Sequence, residues 1–403
     1  MMASFNLAKL ILSKKSQFTG FFVFLLLLGC QPTDNSSSND NHLMQQAQTD
    51  ASAANTLAAK RLASNELVAA LKWLQQAARL GDVAALAHAL QLQQRLEGKL
   101  ATAHWLAQSV ATKQLKLSSV SELQQQQLGF WSEPSVVTNP SVLTVAGYTS
   151  PNGCAVTIQP VATQLAGVQQ WRLLQQQWQQ HPQLSQLAVC YSALKHVNST
   201  ELNCSEQVAT RISCQYQALE PLVAKADISQ VVIIAGRGKA SYNNGIIQLP
   251  DNASLALFQH EFFHLLGFID EYKLAVSSAE QVCHAELIHP NIVLNNQVEY
   301  YLQHWQLKGS ELELTAVESC NAVGIQAYRI VAAINPMQFY EAKMPAVYLQ
   351  LARKVLQQPE QIMPVQYYFA YLARQQQDWP LWQQFMQQAS KRGYADAQQA
   401  LSL

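Results

Sequence analysis

The segment His260-Glu261-Phe262-Phe263-His264-Leu265-Leu266-Gly267-Phe268-Ile269-Asp270 is the tightest constraint on what this chain can fold into. His260 and His264 are four residues apart, so on a helix their imidazoles share one face and can reach one metal ion. Glu261 then stands beside that ion, where a carboxylate can take a proton from an attacking water. Gly267 can adopt the positive φ that ends a helix abruptly, and Phe268-Ile269 lead Asp270 back toward the histidines. A carboxylate is an acceptable third zinc ligand. The competing third ligands are Glu271, Glu280, His284 and His289, with Asp270 left as a helix-end carboxylate. The bland alternative is an amphipathic helix with three polar residues at its surface. Pro250, followed by Asp251 or Asn252 as a cap, predicts where this helix begins.

The flanking periodicity supplies a scaffold. Cys154–Ile158 and Leu187–Tyr191 read as strands on either side of an amphipathic helix over Gln164–Gln180, and Val231–Ala235 and Gly245–Leu249 read as further strands. Tyr242-Asn243-Asn244-Gly245 suits a hairpin turn at an edge strand that could take an extended peptide by β-augmentation, or a plain surface turn. The order predicts an α+β domain over 144–350, a mixed sheet with the motif helix beneath it.

From His260 to Asp270-Glu271-Tyr272 the chain resembles the IgA-peptidase family of metzincin-like zinc metallopeptidases, in which HExxH is followed by Asp-Glu-Tyr. His289-Pro290-Asn291-Ile292-Val293, Trp305, Gly324, Tyr328-Arg329 and Met337 extend the likeness over about residues 150–350. The resemblance implies a metzincin-like fold, a Zn2+ cofactor on His260, His264 and Asp270, Glu261 as catalytic base, and a protein or peptide substrate. It also implies a methionine in a tight turn beneath the metal. Asn335-Pro336-Met337 is the candidate, with Met344-Pro345 as a rival and a plain core role for Met337 as the alternative. Tyr340 and Tyr328 are candidates for contact with substrate or transition state, although Tyr340 follows Met337 by three residues where such families use two. The family name implies immunoglobulin cleavage for some relatives, and no residue here carries that specificity.

The first 29 residues read as an export signal, with Lys9, Lys14 and Lys15 ahead of an apolar run too short to span a bilayer. Leu27-Leu28-Gly29-Cys30 resembles a bacterial lipobox, which implies acylation of Cys30 and a lipid-membrane anchor; an ordinary secretory signal is the alternative. Gln31, where an inner-membrane signal carries Asp, points to the outer membrane of a bacterial envelope, facing the periplasm or the surface. Six further cysteines in an oxidising compartment favour disulfides over metal thiolates. Sequential pairing, Cys154–Cys190, Cys204–Cys214 and Cys283–Cys320, keeps each pair within one structural unit; free buried thiols are the alternative.

Residues 30–55 are polar enough to read as a flexible tether. Helical periodicity follows over 56–130 and again over 351–403. Ala70–Gly81 and Trp382–Gly393 both resemble half of a Sel1-like or TPR-like repeat, too few for a solenoid, so helical hairpins packed on the central domain are expected. Such flanks could bind an envelope protein. At ~150 residues per domain, 403 residues suggest two or three domains. Lys plus Arg equals Asp plus Glu at 26 each, which offers no footprint for nucleic acid. Only 13% of residues are charged, and some fifty glutamines solvate the helices instead. Two functions are carried forward: a membrane-anchored zinc endopeptidase, and a non-catalytic envelope lipoprotein scaffold with a structural metal site.

Overall fold

Val231, Val232, Ile233 and Ile234 are all buried. A strand this apolar must be covered on both faces, and the chain arranges its layers around it. The structure is a computed structural model that describes residues 35–131, 143–294 and 297–402; the expected signal and Cys30 lie outside the described residues. Its strands are β1 (Val156–Ala162), β2 (Val189–Tyr191), β3 (Lys195–His196), β4 (Glu206–Arg211), β5 (Gln230–Ile234), β6 (Arg237–Lys239), β7 (Ser241–Asn243), β8 (Ile246–Leu249), β9 (Ile292–Leu294), β10 (Thr315–Val317) and β11 (Ala327–Arg329). The main sheet runs β2-β1-β5-β8-β7, with β3 also on β1. Its pairs are parallel except β7 with β8, where a tight turn with Asn244 and Gly245 at positive φ makes the hairpin read from the sequence. The fold is α+β with a mixed sheet.

Alternation along β5 assigns the two faces. Val232 and Ile234 join a core with helix Leu165–Gln180 and the motif helix Leu255–Leu265, where Trp171, Trp178, Tyr191, Phe258 and Phe262 meet edge to face or tilted. Val231 and Ile233 face the opposite way, onto Val365, Phe369 and Phe385. The second cover therefore comes from helices Val365–Gln375 and Trp379–Lys391. The expected domain end at 350 is corrected: helix Ala346–Leu356 runs through it, and the C-terminal helices belong to the sheet's core.

A second correction concerns the tether. Asn35–Gln46 and Ala51–Ala63 are helices, and Leu43, Met44 and Ala47 pack with Ala54, Leu57 and Leu74. Alanines let these helices approach closely, which the polar composition concealed. Helices Leu67–Arg79, Val83–Glu97, Lys99–Ala111 and Glu122–Leu128 complete the N-terminal layer. It docks on the α/β core where the Leu100 amide donates to Glu206 (3.1 Å) and the Trp131 indole donates to the Thr163 carbonyl (3.0 Å). Gly81 and Gly393, which close the two repeat-like phrases, both end helical runs at positive φ.

All three disulfides form in the sequential pairing. Cys154–Cys190 ties the entry of β1 to β2, and Cys204–Cys214 closes the base of the β4–β6 ribbon. Cys283–Cys320 staples a small unit containing β10-β11-β9 between Asp270 and Met337. No helix among the described residues is long and apolar enough to cross a membrane.

Candidate metal centre

The motif helix follows β8 and is capped by Ser254, whose hydroxyl accepts from the Leu257 amide at 3.1 Å, rather than by Asp251 or Asn252. It ends at Leu265, and Gly267, at φ 85°, reverses the chain. That reversal returns Asp270 to the histidines. His260 Nε2 and His264 Nε2 lie 3.1 Å apart, and Asp270 Oδ1 is 3.4 and 3.2 Å from them. The three side chains form a group whose donor atoms lie within 4.8 Å of one another.

The other ring nitrogens define what these atoms are. His260 Nδ1 lies 2.8 Å from the Pro336 carbonyl and His264 Nδ1 2.8 Å from the Phe268 carbonyl. A carbonyl only accepts, so each Nδ1 donates, and each ring turns inward an Nε2 whose lone pair is free once its proton has left. Asp270 Oδ1 is buried there without a hydrogen-bond donor. Three acceptors aimed at one point are satisfied by a cation, so the residues fit a metal ion. The field already favours positive charge. Burial disfavours charge on His264, but the touching Asp270 carboxylate and Glu261 outweigh it and raise its pKa to about 9. Burial likewise opposes ionisation of Asp270, yet His260, His264 and Tyr272 hold its carboxyl well below the usual range.

Glu261 is 5% exposed beside this cluster. Burial pushes its carboxyl up, while the charges of His264, His260 and Arg211 pull it back. A buried carboxylate with a raised pKa beside a candidate metal site has the character of a group that takes and gives a proton.

The alternative ligands are spent elsewhere. His289 uses its nitrogens on the Gly267 and Val282 carbonyls, and Glu280 and His284 do not join the cluster. Glu271, 1% exposed, accepts from Asn291 (3.0 Å), Asn335 (2.6 Å) and the Tyr348 hydroxyl (2.5 Å), with Arg329 at 4.0 Å. Its amide donates to the Met337 carbonyl at 2.9 Å. Asn335 in turn accepts from the Met337 amide, which makes Asn335-Pro336-Met337 a tight turn with Met337 fully buried. Asp270, the turn and the carbonyl that orients His260 are thus held by one polar knot. Asn291 also clamps Ile269 through both its amide and carbonyl, and Ser319 donates to the Asp270 carbonyl.

Tyr340 and Tyr328, the tyrosines expected at substrate, stand apart from the three ligand side chains. Tyr340 is exposed and hydrogen-bonded to Glu341, and among the described residues no hydrogen bond or ring contact joins Tyr340 or Tyr328 to the metal cluster. Tyr272 supplies the hydroxyl, bonded to Asp270, and feels the charges of Glu261 and Arg211. Its place at the end of the motif, two residues after Asp270, is the signal in the sequence that points to it. Arg211 was missed outright, since nothing local connects a residue of β4 with a helix fifty residues later.

A cleft of about 400 Å³ adjoins His264, lined by Tyr242, Asn243, Gly267, Ile362 and Met363. A larger groove of about 770 Å³ opens between helix Leu165–Gln180 and the start of the motif helix, and none of the metal-cluster residues line it. No protein-family model matches the chain, and no curated protein matches it.

Proposed function

We propose that the chain is a zinc-dependent endopeptidase of metzincin-like type, anchored to the bacterial outer membrane through an acylated Cys30. The observation that carries this reading is the three-acceptor cluster of His260, His264 and Asp270 with the buried Glu261 carboxylate beside it. Two imidazoles and one carboxylate are a zinc donor set, and three protein ligands leave a position for water or substrate, whereas structural zinc sites take four. Zinc in that position supplies a Lewis acid that polarises a carbonyl and lowers the pKa of water. Glu261 accepts the proton of the attacking water and delivers it to the departing amine. The Asn335-Pro336-Met337 turn supports the cluster from below, as a metzincin methionine turn does. β7 is paired only with β8 among the described strands, so its outer edge can hold an extended peptide by β-augmentation.

The test is incubation of the purified protein with a denatured protein mixture, with and without a chelator. Cleavage that stops with chelator and returns with zinc is expected; chelator-insensitive cleavage, or none, counts against the proposal. The scaffold alternative makes a different spectroscopic prediction. Cobalt substituted at the site would show four protein ligands for a scaffold, and three plus exchangeable water for a peptidase.

A further inference from the structure

An exposed ribbon leads directly into the edge strand β7. β4 and β6 pair in parallel with Glu206 opposite Arg237 and Arg211 opposite Lys239; β4 bulges between these points. The bulge folds over Gly238, at φ 149°, where a Cβ would come within 2.6 Å of the Thr210 carbonyl. Gly236, at φ 76°, admits the Ser205 carbonyl in the same way, and Cys204–Cys214 closes the base. Two obligatory glycines and a disulfide thus fix a surface strand whose residues from Gln207 to Arg211 are exposed. Hydrophobic burial does not account for that rigidity.

Charge and position suggest what it presents. Arg211, Arg237 and Lys239 make no ion pair among the described residues. Glu206, the acid of the ribbon, is turned away onto the Leu100 amide. Lys239 stands two residues before Ser241, the first residue of edge strand β7, and Arg211 lies beside it in register. An extended peptide on β7 therefore runs toward these cations at one end. The positive charge of Arg211 is also felt by Glu261 and Tyr272.

We propose that Arg211 and Lys239 form a subsite for an acidic side chain, so that the preferred substrates carry Asp or Glu within a few residues of the scissile bond on the β7 side. The inference rests on the peptidase reading, and its test includes a binding measurement that needs no turnover. Matched peptides bearing Glu, Gln or Lys across the positions flanking the cleaved bond are compared as substrates, and as ligands of the zinc-loaded Glu261→Ala variant by fluorescence anisotropy. Roughly fivefold preference for Glu over Lys is expected in both, weakening as salt rises. The Arg211→Glu/Lys239→Glu variant should prefer Lys while keeping its zinc and its fold by circular dichroism. Equal treatment of the three peptides by the native ribbon, or an unchanged preference in the reversed one, overturns the subsite and leaves the peptidase reading standing. Zinc-dependent binding without cleavage of any peptide removes the peptidase reading, and charge preference in that binding still decides the subsite.

Discussion

Glu271 shows how much of the site depends on one buried side chain. All its partners are donors, so only the carboxylate satisfies the knot; a glutamine must turn its NH2 toward Asn291, Asn335 or Tyr348. Glu271→Gln is expected to bind zinc about 10–100-fold more weakly, as loss of a group that orients ligands does. Chelator competition on the folded variant measures this, and unchanged affinity would contradict the knot's role. His264 gives a pH dependence. Its folded pKa, about 9, exceeds its ordinary 6.5, so in the metal-free protein its stabilising charge is full below about pH 6.5 and lost as pH rises through 9. Thermal stability of the chelated protein should fall across that window, and zinc uptake at pH 7.5 should release a proton. A flat profile with no proton release would contradict the assignment. His260, Glu261, His264 and Asp270 were legible because their spacing is local. Tyr348, 77 residues from Glu271, becomes its partner only through the fold.

Among elements, the motif helix and the turn that ends it set the geometry. A Cβ on Gly267 would meet only Pro290, at 3.7 Å, so its constraint is backbone strain at φ 85° rather than crowding. Gly267→Ala should cost roughly 1 kcal/mol by denaturant unfolding and weaken zinc binding, because Phe268 and Asp270 follow it. Native affinity in a destabilised variant would separate the turn from the metal. Strands β2, β5 and β8 and helix Leu165–Gln180 were readable within a residue or two from their periods, whereas β1 runs four residues past Ile158 and the two-residue β3 left no periodic signal. The helix cap was not, since Asp251, Asn252 and Ser254 are all competent caps and only tertiary placement selects Ser254. The β4–β6 ribbon escaped notice because both strands are exposed and carry no apolar alternation. The spacing of Gly236 and Gly238 was its one visible trace.

For the whole molecule, the C-terminal helices complete the core of the main sheet. β5 announced two buried faces in its sequence, yet of the residues that cover the second, Val365, Phe369 and Phe385 lie more than 130 positions on, beyond reach of any local pattern. A chain ending after Leu356 would expose Val231 and Ile233, and is expected to be insoluble or to bind hydrophobic dyes; a soluble, cooperatively unfolding truncation would contradict the shared core. The N-terminal helical layer likewise begins earlier than its polar composition suggested, at Asn35. These layers hold in place His260, His264 and Asp270 with the buried Glu261 carboxyl beside them. The most direct test of the proposed chemistry compares zinc content and peptide hydrolysis in the native protein and Glu261→Ala. The account predicts one zinc per chain in both and hydrolysis reduced about 10²–10⁴-fold in the variant. Comparable turnover by a zinc-loaded Glu261→Ala, or native hydrolysis that survives removal of the zinc, would contradict it.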